Sequence, residues 1–220
     1  MNRYNPLLTP IVLAMLLTFW GGQAMATEEP AYDVVREDSG FELRRYQPQL
    51  LAETEVQGRF DKVGGKAFGI LADYIFGNNQ AAEKIAMTAP VTQRPSANDD
   101  DQAGTRIEMT APVTQRPAQT DSDSFMISFV MPERFTLETL PQPKDPRVTL
   151  REVPGRLMAV LRYSGGWGES NYRKHEAQLL KAVRTAGLTP IGKPVYARYN
   201  SPFSLPFLRR NEVMVEVAET

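Results

Sequence analysis

The sequence predicts an α+β fold in which antiparallel strands, interrupted by two helices, form a strongly curved sheet or barrel. Three observations predict it. The nine residues MTAPVTQRP occur twice, from Met87 to Pro95 and from Met109 to Pro117, each within a segment that alternates apolar and polar side chains. Sliding the chain against itself by 107 residues aligns FELRRYQPQLLAETEVQGRF from Phe41, without gaps, on VTLREVPGRLMAVLRYSGGW from Val148, with five of twenty positions identical. Each of these longer blocks runs into a segment whose apolar residues recur every three or four positions, the spacing of a helix with one buried face.

Residues 1–26 read as an export signal rather than as part of the fold. Asn2 and Arg3 precede an apolar run from Leu7 to Trp20, and Ala24-Met25-Ala26 offers small residues at the two positions a signal peptidase reads. The run is 14 residues long, short of the roughly 20 that span a bilayer. Cleavage after Ala26 is expected, giving a periplasmic or secreted protein, residues 27–220, with no stable membrane insertion of the mature chain.

In chain order, Phe41–Gln47 and Leu50–Gln57 are the first predicted strands. Phe60, Val63, Ala67, Ile70, Leu71, Tyr74 and Ile75 make the apolar stripe of the first helix, which stops at Gly77, while Gly64 and Gly65 weaken its first turns. The two MTAPV segments follow. Ile85, Met87, Ala89 and Val91 share one side of an extended segment, as do Ile107, Met109, Ala111 and Val113. A hairpin of the two copies would bring these faces together with, for instance, Ala89 opposite Ala111. Pro90 and Pro112 lack a ladder donor and point to a bulge or an edge position. Between the copies, Pro95–Thr105 carries three consecutive aspartates and reads as a solvated surface insertion, one that could gate entry if the hairpin borders a ligand site.

Phe125–Met131 ends a first unit spanning about residues 32–131. A second unit, about residues 146–218, repeats the order. Arg147–Val153 and Leu157–Ser164 are strands, and a helix runs from an N-cap at about Ser170 through Tyr172, Leu179, Leu180 and Val183 to Ala186, ended by Gly187 and Pro190. Pro194–Tyr199 and Val213–Val217 complete it. Neither half carries apolar surface enough to stand alone, so a single domain built from a duplicated ββαββ unit, with a pseudo-two-fold axis, is expected.

Composition narrows the function. Removing residues 1–26 takes away Arg3 and no acid, leaving 24 basic against 26 acidic residues and a net charge of −2. No basic footprint for nucleic acid or an anionic membrane follows from that balance, which disfavours both as partners. The chain has no cysteine, hence no disulfide, no thiol nucleophile and no CxxCH for covalent haem attachment. Its single histidine lacks a spacing partner for zinc, no serine stands in GxSxG, and GRFDKVGGKAFG has the wrong spacing for a phosphate loop. No catalytic signature marks an enzyme.

The segments AFGILADYIFGNN, KIAMTAPVTQ, FVMPERFTLETLPQPKDPRVTLREVPGR and RYSGGWGE strongly resemble the SOUL, or haem-binding-protein, family, over about Tyr32 to Glu216. The resemblance implies a distorted antiparallel β-barrel flanked by two helices, similar to effector-binding domains that take diverse small molecules. It also implies non-covalent binding of haem or another tetrapyrrole through a largely hydrophobic site, with no axial ligand common to all members. The histidine proposed in one branch has no counterpart here. An exported protein of this kind would scavenge, buffer or carry haem; the alternative is an effector-binding module for another apolar small molecule, with opportunistic haem binding.

Five residues stand out as candidates for that site. His175, at the edge of the second helix's apolar stripe, could offer its imidazole as an axial haem ligand or could be a half-buried histidine satisfied by a neighbouring carboxylate or carbonyl. Met87 and Met109 could supply thioethers or line a pocket, or simply pack in the core. Lys62 and Lys66, four residues apart on the polar side of the first helix, could pair with propionates or form a solvated face.

Overall fold

The computed structural model describes residues 28–80, 104–118, 124–200 and 203–218. The chain begins with β1 (Tyr32–Asp38), β2 (Phe41–Tyr46), β3 (Gln49–Gln57) and α1 (Phe60–Ile75). Then come β4 (Asn79–Gln80), β5 (Val113–Pro117), β6 (Ser124–Val130), β7 (Gln142–Pro143), β8 (Thr149–Val153) and β9 (Arg156–Tyr163). After α2 (Glu169–Thr185), β10 (Pro190–Arg198) and β11 (Asn211–Val217) complete the fold.

Nine strands form one antiparallel sheet in the order β1-β2-β9-β11-β10-β5-β6-β3-β8, and β4 and β7 pair separately. With β1 set aside the order reads as a palindrome of the two halves. The first strand of one half is followed by the second, fourth and third of the other; then come the third, fourth and second of the former and the first of the latter. The ladder registers carry the shift of 107 seen in the sequence: Leu43 pairs with Ala159 and Leu150 with Ala52, Arg44 with Met158 and Arg151 with Leu51.

Both helices cover one face of the sheet. Period-two alternation sends Ala52, Phe125, Ile127, Phe129, Ala159, Tyr163, Val213 and Val215 to this face, where they pack on Val63, Ala67, Leu71, Leu179 and Val183. The helices are joined by rings: Phe60 of α1 lies 4.9 Å from Tyr172 of α2 and 5.5 Å from Tyr196 of β10. Gly64 has a packing reason to be in α1, because a Cβ there would lie 2.5 Å from Arg198 Nη1. Arg198 needs that space to reach the Tyr172 hydroxyl at 2.7 Å and Gln115 Oε1 at 2.8 Å.

The other face curls inward. Strands standing third and ninth in the order, β9 and β8, line one cavity through Arg156, Met158 and Arg151, so the sheet bends back on itself without closing. The α+β class and the distorted barrel are therefore as expected.

Three local expectations differ. The second helix is capped by Gly168 rather than Ser170, which falls in the first turn. The apolar face of the second MTAPV copy is broken: Ile107 and Ala111 are buried, but Met109 is 46% exposed. Pro112 precedes β5, preceded itself by a cis peptide bond, and β5 is an inner strand paired with β6 on one side and β10 on the other, not the edge of a two-copy hairpin. The first copy, with Met87, and most of Pro95–Thr105 lie outside the described residues, as does the predicted export signal.

Candidate ligand site

The inner face of the sheet is unusually charged for a barrel interior, and its charges fall into two clusters. At one end Arg44 of β2 is enclosed. Its guanidinium donates to Glu212 at 3.1 Å, Glu42 at 2.7 Å and the Tyr46 hydroxyl at 3.2 Å, and lies 4.4 Å from the centre of the Tyr32 ring. Glu212 also accepts from Arg210 at 3.0 Å and from the Tyr199 hydroxyl at 2.8 Å. Burial works to lower the Arg44 pKa, but the Glu212 carboxylate beside it raises it overall. Burial also pushes the Tyr46 phenol up to about 12. The cavity bordering this cluster, lined by Tyr46, Tyr199 and Met214, is only about 30 Å³, far too small for a tetrapyrrole.

At the other end the charges border open space. Glu53 of β3 accepts from Arg151 of β8 at 2.7 and 3.0 Å, from Ser128 of β6 at 2.8 Å and from Arg116 of β5 at 3.4 Å. Burial tends to raise the Glu53 pKa, but those hydrogen bonds and the two arginine charges hold it below the usual carboxylate range. Beside this cluster opens a cavity of about 600 Å³, walled by Arg116, Arg151, Arg156, Met126, Met158 and Val195 and rimmed by Ile191, Lys193, Glu55 and Glu216.

Arg156 is the unusual member. Its backbone belongs to the β9 ladder opposite Tyr46, but its side chain makes no hydrogen bond or ion pair with a described residue. Burial lowers its pKa, the positive charges of Arg151 and Arg116 lower it further, and Glu216 opposes them only in part. A desolvated guanidinium flanked by two others and facing a cavity is arranged to receive an anion. The methionine and valine wall offers a polarizable apolar surface next to it.

Two other cavities suit an anionic ligand less. A groove of about 670 Å³ beneath Glu28–Ala31 and Val130–Glu138 is lined by five glutamates and no lysine or arginine. A wider cleft between the helix N-termini has Arg59 and Arg173 in its wall, each already paired, with Asp61 at 3.0 Å and with Glu176 at 3.0 Å.

The residues singled out in the sequence do not converge. His175 and Lys62, Lys66 and Met109 line none of these cavities. His175 stacks on Tyr163, centroids 3.9 Å apart at 11°, and its Nδ1 lies 2.7 Å from the Asn171 carbonyl oxygen. A carbonyl only accepts, so Nδ1 is the donor of this bond. Lys62 and Lys66 lie exposed on α1. The residues of this candidate site that sequence reasoning missed are Arg116, Arg151, Arg156 and Glu53. One signal pointed to them: Arg44 and Arg151 are an identical pair under the 107-residue shift, each an arginine inside an otherwise strand-like block.

Among the described residues no group of three or more histidine, cysteine or carboxylate side chains could hold a metal ion, and no helix is long and apolar enough to cross a membrane. No curated protein sequence matches the chain. Solved structures do. The EcmrR C-terminal domain is similar with a TM-score of 0.56 at 8% identity, covering 86% of this chain and 99% of its own. A hydrolase from Listeria innocua has a TM-score of 0.52 at 15% identity, covering 84% and 94%. An uncharacterized conserved protein from Listeria innocua gives 0.52 at 14%, covering 88% and 94%. At such identities the likeness is one of fold alone. The sequence profile described as SOUL heme-binding protein matches residues 27–216, and the chain belongs to the SOUL haem-binding family.

Proposed function

We propose that this protein is an exported carrier, buffer or scavenger that holds haem or a related tetrapyrrole without a covalent bond, with the ligand's carboxylates in the arginine-lined cavity of the inner face. The observation that carries the proposal is Arg156, a half-buried guanidinium in the wall of that cavity with Arg116 and Arg151, whose side chain makes no hydrogen bond with a described residue. Membership of a haem-binding family supports the ligand class. The donor set fits: Arg116, Arg151 and Arg156 would pair with propionates, and Met126, Met158 and Val195 would lie against the porphyrin. Haem, when bound, supplies a redox-active iron. The protein's part is to exclude water with the apolar wall and to fix the carboxylates, while Glu53 keeps two of the arginines in place by accepting from both. The export reading rests on residues 1–26, and the matching sequence and ladder shifts support descent of the two halves from one duplicated ββαββ unit.

Absorbance titration with ferric haem tests the site. Saturation at one equivalent is expected. Arg156→Ala should weaken it by about tenfold, the effect of losing one charge-assisted bond worth roughly 1.5 kcal/mol. His175→Ala should leave the Soret band unmoved, since His175 lies outside the cavity; a shifted band would make His175 the axial ligand and move the site to the helices. A titration that never saturates would remove the haem reading.

A further inference from the structure

We propose that the β10–β11 loop is a membrane-contact element that dips into the interface of a lipid bilayer. The described residues Phe203–Arg210 lie between the two strands beyond the last ladder pair, Arg198 with Asn211. Among them Leu205, Phe207 and Leu208 are 55%, 69% and 67% exposed, and Phe203 is exposed as well. Soluble surfaces rarely place so many large apolar side chains in succession.

The exposure is built in rather than a result of fraying. Pro206–Leu208 form a 3-10 turn, and the Pro206 carbonyl accepts from the Gly165 backbone at 3.0 Å. Arg209 Nε donates to the Ser204 carbonyl at 2.8 Å, and the Arg210 backbone N–H donates to Asn200 Oδ1 at 2.6 Å. The loop is thus held with its apolar side chains pointing away from the core.

Its shape and surroundings favour lipid over a protein partner. A protruding tip has no facing groove to fill, whereas a bilayer takes up convex apolar tips without shape complementarity. Behind the tip stands Trp167, its ring 4.3 Å from the Arg209 guanidinium and its indole N–H donating to Asn211 at 2.8 Å. Tryptophan and arginine at the base of an apolar tip are the residue types that settle at headgroup level. Of the arginines flanking the tip, Arg198 turns to Tyr172 and Gln115 and Arg210 pairs with Glu29 and Glu212, so Arg209, beside Trp167, is the one that sits with the apolar tip.

The test is co-sedimentation of the chain from Thr27 onward, which contains every strand and helix, with vesicles of phosphatidylethanolamine and phosphatidylglycerol. Phe207→Ser combined with Leu208→Ser should lower the bound fraction by about tenfold or more, while Val35→Ser, at a 52% exposed apolar residue on β1, should leave it unchanged. Phe207→Trp should bind like the parent and shift its emission to the blue on adding vesicles. Both positions are at the surface, so thermal melting should show the variants folded. Failure of the parent to sediment with vesicles overturns the proposal. So does binding undiminished in the loop variant, or loop-dependent self-association without vesicle binding, which would make the loop a contact between copies.

Discussion

Arg44 and Arg151 occupy equivalent places in the two halves, each pairing across a ladder that the 107-residue shift carries into the other, yet they live in opposite surroundings. The Arg44 side chain is 2% exposed and sealed beneath Tyr32, whereas that of Arg151 is 43% exposed beside a cavity. The difference traces to β1. This strand pairs along β2 and covers the Arg44 end, whereas among the described residues no strand stands beyond β8 at the other end. The two arginines also found different carboxylates, Glu212 on β11 and Glu53 on β3. Matching positions in the two halves of the sheet thus carry one enclosed cluster and one that borders open space.

The largest effect should come from breaking the closed end. Glu212→Ala takes from the buried Arg44 its buried countercharge, leaving only the half-exposed Glu42, and removes the acceptor of Arg210 and Tyr199. A loss of about 3–5 kcal/mol is expected, as for any buried pair that loses one partner. Urea unfolding measures it, and a loss below that of the next variant would mean that the two ends are not distinct.

The same change at the open end should be milder. Arg151 and Arg116 both reach solvent, so Glu53→Gln should reduce stability by only about 1–2 kcal/mol. Its pH signature is more diagnostic. Because the folded Glu53 titrates below its ordinary 4.5, its contribution is full above that value and is lost as the pH falls through the lowered one. Glu53→Gln should therefore flatten the acid limb of a stability–pH curve below about pH 5, and melting temperatures across that range would reveal it.

How far this contrast could be read in the sequence depends on the kind of signal. β2, β3, β8, β9 and β11 were legible because alternation puts Leu43, Ala52, Leu150, Ala159 and Val215 on one face, and α1 because Val63, Ala67, Leu71 and Tyr74 recur at helical spacing. β1 was not, since most of Tyr32–Asp38 is exposed and shows no apolar alternation. Two-residue strands such as β4 and β7 leave no periodic trace. The ligand cavity was illegible for a different reason. Arg116, Arg151 and Arg156 lie on β5, β8 and β9, and only the curl of the sheet brings them together, so along the chain each looks like an ordinary solvated residue. His175 drew notice by being the single histidine, a matter of composition that carries no information about place.

Tyr32→Ala probes what β1 adds. It removes a ring from above Arg44 and from its contact with Tyr46, centroids 5.1 Å apart, while the Glu212 network persists. A loss of about 1 kcal/mol is expected, the scale of a cation–π contact with one aromatic pair. Arg44 should also become accessible to arginine-directed labelling that the parent resists, making the closed end resemble the open one.

The smallest stability effect, and the sharpest separation of structure from function, should come from Arg156→Met. In the folded state this guanidinium is desolvated, crowded by two like charges and unpaired with any described residue, so it contributes little that folding would miss. Methionine keeps most of the chain length and matches Met126 and Met158 in the same wall. Stability should change by less than about 0.5 kcal/mol in either direction, or rise slightly, because a charge is no longer taken from water. Haem affinity should nevertheless fall by about tenfold, as for the alanine variant. A large destabilisation would mean that Arg156 holds the barrel as Arg44 does, and the distinction between a closed structural end and an open binding end would collapse with it.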